Sequence, residues 1–108
     1  MSPGIELSVP EPADLSSLGR DEFARHLGTT FEVPASDGLV LTLVAADAAG
    51  HPRPGGRDPF SLIFTGPRVP LLDQRIHTLV HASLGRLDLF LVPIEPSASS
   101  ARYEAIFA

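Results

Sequence analysis

The sequence predicts a mainly β domain: a small antiparallel β-sandwich or partly open barrel with one short N-terminal helix. Three observations carry this. From Phe31 onward apolar residues recur at every second position, the period of a strand. The segments with that rhythm are short and are separated by Gly, Pro and Asp clusters that act as turns. One stretch alone, near the N-terminus, shows helical spacing. The 108 residues correspond to one domain by length. The expected division is an extended arm over 1–12 and a single β domain over 13–108.

Residues 1–12 carry prolines and alternate Ile5, Leu7 and Val9 with Glu6 and Ser8. That spacing suits an arm that can add to a sheet edge or fray. Residues 13–27 form the helix candidate. Ser16 or Ser17 is the expected cap, Asp21 and Glu22 suit the positive end of the helix dipole, Phe23 and Leu27 share a face, and Gly28 ends the helix. The strands expected after it are TFEV with its preceding Thr29, then LVLTLVAA at 39–46, reached through the Ser36-Asp37-Gly38 turn. DAAGHPRPGGRDP at 47–59 is a loop, because its prolines and glycines disfavour helix and central strand alike. FSLIFT at 60–65, DQRIHTLVH at 73–81, RLDLFLVPI at 86–94 and RYEAIF at 102–107 complete five or six strands. Leu84-Gly85 joins 73–81 to 86–94 as a hairpin. The strand 86–94 is apolar on both faces, which places it between layers or centrally, with Phe60, Phe64, Phe90 and Phe107 in the core.

Composition excludes several functions. Without cysteine there is no disulfide framework and no thiolate chemistry. The formal charge is −5 and all eight basic residues are scattered arginines, so no basic stripe exists to displace counterions from nucleic acid. No apolar run reaches a membrane span, and the N-terminus lacks the pattern of a signal peptide. The expected location is the cytoplasm or an assembled particle.

The sequence offers no catalytic or metal site and no cofactor motif. His77 and His81 have i, i+4 spacing, but on a strand their Cα atoms stand ~13 Å apart, too far to share one ion. They are therefore expected to be surface or edge residues, as are His26 and His51. Ser61, His77 and Asp88 form a triad only by arbitrary selection. Carboxylates such as Glu32, Asp73, Asp88 and Glu104 alternate with apolar residues and are expected on a solvated face. Gly55-Gly56 lacks the phosphate-loop pattern and a following helix. Arg53 and Arg57, in the long loop, can grip a carboxylate on a partner. With Ile5 and Leu7 of the arm they are the candidate partner contacts.

PFSLIFTGP at 59–67, Gln74, HASLGRLDLFLVPI at 81–94 and YEAIF at 103–107 together resemble a small bacterial family of unknown function. Its members look like P-F-S-L-x-F-x-G-P, a glutamine-containing strand, H-x-x-L-G-x-x-x-L-F-L-V-P-I and a final Y-E-A-x-F. An earlier F-x-x-x-x-G-x-x-F matches Phe23, Gly28 and Phe31. His77 stands where members commonly look tyrosine-bearing. The resemblance spans roughly residues 20–107 and implies no catalytic residues. Members often lie near genes for phage-tail-like or fibre-collar proteins, which implies a place in such an assembly.

The expected function is a non-catalytic structural or adaptor module that binds a partner protein, with a homo-oligomer as a further expectation. A final strand without a polar tail is expected to offer an edge for docking. The alternative is a barrel binding a small ligand in a pocket lined by Phe64 and Phe90.

Overall fold

A computed structural model of the protein describes residues 14–51 and 58–107. Among these residues there are six strands: β1 (Thr30–Val33), β2 (Leu39–Ala48), β3 (Phe60–Gly66), β4 (Arg75–His81), β5 (Gly85–Ile94) and β6 (Ala101–Phe107). They close into an antiparallel barrel in the order β1-β2-β3-β6-β5-β4. The expected sandwich or partly open barrel is thus corrected to a closed one. Closure comes from the shortest strand, since β1 reaches β4 through Glu32 opposite Val80. β6 lies between β3 and β5, so the final strand is not the open edge expected of it.

Alternation selects the interior. Phe31 and Val33 of β1, Leu39, Leu41 and Leu43 of β2, and Phe60, Leu62 and Phe64 of β3 are buried. Leu79 of β4, Leu87, Leu89 and Leu91 of β5, and Tyr103, Ala105 and Phe107 of β6 complete the core. A bulge between Leu43 and Ala45 inserts one residue, which is why Ala46, three positions after Leu43, also points inward. Gly66 is closely packed: a Cβ there would sit 2.6 Å from Leu41 Cδ2, so the Leu41 side chain would have to shift.

Phe90 is not in the core. A closed barrel encloses one face of each strand, so only one of the two apolar sets of β5 can be inside. Leu87, Leu89 and Leu91 take that place and leave Phe90 50% exposed.

The helix is shorter than its sequence pattern suggests. A 3-10 turn covers Leu15–Ser17, and α1 spans only Arg20–Ala24. Leu18 and Gly19 are extended between them and break the stretch in two. Asp14, and neither serine, caps the 3-10 turn, accepting from the Ser16 N–H at 3.1 Å. Glu22 reaches back to accept from the Gly19 N–H at 2.8 Å, and these backbone hydrogen bonds hold its carboxyl below the ordinary value. Because α1 ends at Ala24, Leu27 does not share the buried face of Phe23 and is largely exposed. Gly28 does end the turn that follows, at φ +84°.

Both mouths of the barrel are filled. Phe23 from α1 packs with ring centroids 5.9 Å from Phe60 and 5.5 Å from Phe107. Towards the other end, where Gly66 pairs with Ala101, the 67–74 segment tucks Leu72 inward. The Leu72 N–H donates to the Tyr103 hydroxyl at 3.0 Å.

Candidate functional site

The expected β4–β5 hairpin forms, with its turn at 82–84 and not at Leu84-Gly85, and runs from Arg75 opposite Leu91 to His81 opposite Gly85. Its outward row is Ile76 opposite Phe90, Thr78 opposite Asp88, and Val80 opposite Arg86. Ile76 is 65% exposed, so these two large apolar side chains meet across the strands in solvent. Val92 and Ile94 continue the same face of β5 and are partly buried. Single exposed apolar residues are ordinary, whereas a contiguous cluster marks a surface that something covers.

A preorganised polar group flanks this cluster. The Thr78 hydroxyl donates to Asp88 Oδ1 at 2.8 Å. The Arg86 guanidinium donates to both Asp88 oxygens, from Nε and NH2, each at 3.1 Å. Hydrogen bonding from Arg86 first, and from Thr78 second, holds the Asp88 carboxyl below the usual range. Such a carboxylate is a poor proton acceptor, and the arrangement suits recognition better than acid–base work.

The two late histidines are buried, which corrects the expected surface or edge placement. His77, Leu79 and His81 form the inward row of β4. The signal was present in the sequence, where these three alternate with Ile76, Thr78 and Val80. His77 Nε2 meets the backbone oxygen of Asp73 at 2.7 Å. His81 Nδ1 accepts from the Ser83 and Leu84 N–H groups at 3.0 and 3.1 Å, so the imidazole caps the hairpin turn. Its Nε2 meets Thr29 Oγ1 at 2.9 Å. The ring lies 4.5 Å from Phe31 and 4.7 Å from His26, centroid to centroid. Burial, and then the neighbouring His26, push the His81 pKa down.

Other residues singled out in the sequence do not converge. Ser61 and Asp88 alternate with the buried residues of β3 and β5 and so stand on the outer face, whereas His77 is inside. Glu32 and Glu104 lie on β1 and β6, opposite Val80 and Val92 respectively. Phe64 packs edge to face on Phe31 at 5.2 Å within the core, and Phe90 is outside, so the two do not line a common pocket. Among the described residues, no three potential metal ligands come together and no helix is long and apolar enough to cross a membrane. Arg53, Arg57, Ile5 and Leu7 lie outside the described residues. A cleft of about 440 Å³ opens between α1 and the β2–β3 connection, with Arg20, Glu22, Arg25 and Asp58 at its wall. Its charges are mixed, so no single ligand charge is selected.

A family profile described as a domain of unknown function, DUF6916, matches residues 18–107. No curated protein and no solved structure matches the chain.

Proposed function

The chain belongs to the DUF6916 family, a domain of unknown function, and on that footing we propose that it is a non-catalytic structural or adaptor module that binds a partner protein. The observation that carries this reading is Phe90. The large apolar residues behind the resemblance, Phe60, Leu62, Phe64, Leu89, Leu91 and Phe107, are all consumed by the core. Among the phenylalanines behind the resemblance Phe90 is the exception, half exposed and opposite Ile76 on the outside of the barrel. An aromatic anchor beside a neutralised Asp88–Arg86 pair has the form of an interface centre with a polar rim.

The resemblance suggests a component of a tail-like or fibrous surface assembly as the partner. A pull-down of the co-encoded fibre or tail-like protein by purified chain tests this. Wild-type protein is expected to retain that partner. Ile76→Asp with Phe90→Asp is expected to weaken binding by at least roughly a hundred-fold, in line with loss of a hot spot. The two aspartates would face each other across the strands in place of apolar residues, so a loss of folding stability of roughly 1–3 kcal/mol is also expected, and circular dichroism must show the variant folded at the assay temperature. Undiminished binding by the double variant would remove this face from the reading. A wild-type chain that stays monomeric and retains no such protein would remove the reading itself.

A further inference from the structure

His81 is the point where two separate segments of the chain, 26–31 and 81–84, are tied together. Thr29 Oγ1 donates its proton to the His26 carbonyl at 2.5 Å. It is therefore an acceptor towards His81, and Nε2 must carry the ring proton. Nδ1 is then an acceptor, and the Ser83 and Leu84 N–H groups both point at it. Both nitrogens are thus committed in the neutral state. A second proton at Nδ1 would meet two N–H donors head on. The ring is buried between His26 and Phe31, so the charged form also finds little water.

We propose that His81 is a proton-operated latch that joins the β4–β5 turn to the turn leading from α1 into β1. Neutral, it holds the two turns together. Protonated, it releases the Ser83 and Leu84 amides and loosens the hairpin end. His26 is the titratable group that faces it. Glu32 and Arg86, the charged residues paired with Val80 on the flanking strands, belong to the outer face, and Arg25 beside His26 lines the cleft at α1. None of these offers a carboxylate to stabilise an imidazolium inside. The latch stands independently of the docking reading. If both hold, acid would reach the Ile76–Phe90 face through the hairpin that carries it.

The test is an NMR titration of the full ¹⁵N-labelled chain from about pH 8 to about pH 5, spanning the range over which histidines change charge. The His81 ring signals and the Ser83 and Leu84 amides are expected to shift with one shared midpoint below the ordinary histidine value of about 6.5. The protection of those two amides is expected to fall roughly ten-fold or more across it, as in local opening. In His81→Asn the side-chain oxygen can accept the same amides but cannot titrate, so the shared transition should vanish. Amides that stay silent while His81 titrates, a midpoint at or above about 6.5, or an unchanged transition in His81→Asn would overturn the proposal. Should His81→Asn fail to fold, the wild-type titration decides alone. Partner capture plays no part in this readout, so the latch and the docking face fail separately.

Discussion

Tyr103→Phe removes one oxygen atom and changes nothing else in the shape of the core. The tyrosine is fully buried, and its hydroxyl accepts the Leu72 N–H. Leu72 is itself only 6% exposed. Were the freed amide to reach water, the loss would be a net hydrogen bond, ~0.5–1.5 kcal/mol. Burial of both partners makes the larger penalty apply, that of a buried donor left without an acceptor, ~1–3 kcal/mol. The expected loss is therefore about 2 kcal/mol, which at ~4–8 °C per kcal/mol lowers the melting temperature by on the order of 10 °C. Urea unfolding followed by circular dichroism measures it, with an unchanged m-value showing that the native state is still compact. Amide exchange should localise the effect, with Leu72 losing more protection than Leu79 on the far side of the hairpin. A variant within ~0.3 kcal/mol of wild type would show that the amide does not depend on this oxygen, and the docking of the 67–74 segment would need another cause.

Two further outcomes follow from packing and charge. Gly66→Ala places a methyl 2.6 Å from Leu41 Cδ2, so Leu41 must leave its rotamer, and a loss of ~1–3 kcal/mol in urea unfolding is expected. Asp88 has a depressed pKa in the folded barrel, so its contribution is present above the unfolded carboxyl value of about 3.9 and is lost as pH falls through the lower folded value. Asp88→Asn should accordingly flatten the acid limb of a plot of urea midpoint against pH and leave its shape near neutrality unchanged.

Strand positions were legible because the period of two is a local property. The segment 39–46 became Leu39–Ala48, 60–65 became Phe60–Gly66, and 86–94 became Gly85–Ile94. Closure was not legible. The contact that joins Glu32 to Val80 links residues far apart in the chain, and no turn residue between them encodes it. The side of each strand that faces inward was legible only where one face is polar. On β5 both faces are apolar, so Phe90 could be placed only once the curvature of the sheet was known. The histidines failed for another reason. The ~13 Å strand spacing excludes a shared ion but does not say which face His77 and His81 take, and the alternating row of Ile76, Thr78 and Val80 is apolar enough to be the inner one. The capping role of His81 depends on the turn amides of Ser83 and Leu84, whose geometry spacing does not specify.

The ring is not fastened equally at every joint. Within the described residues, β4 and β5 share a ladder from Arg75 to His81, while the pair is sewn to β1 by Glu32 with Val80 and to β6 only over Val92–Ile94. Breathing of the molecule therefore has a preferred direction. Opening at those two seams, with the ribbon's own rungs intact, would bare Leu79, Leu87 and Leu89 and leave the β1-β2-β3-β6 arc paired.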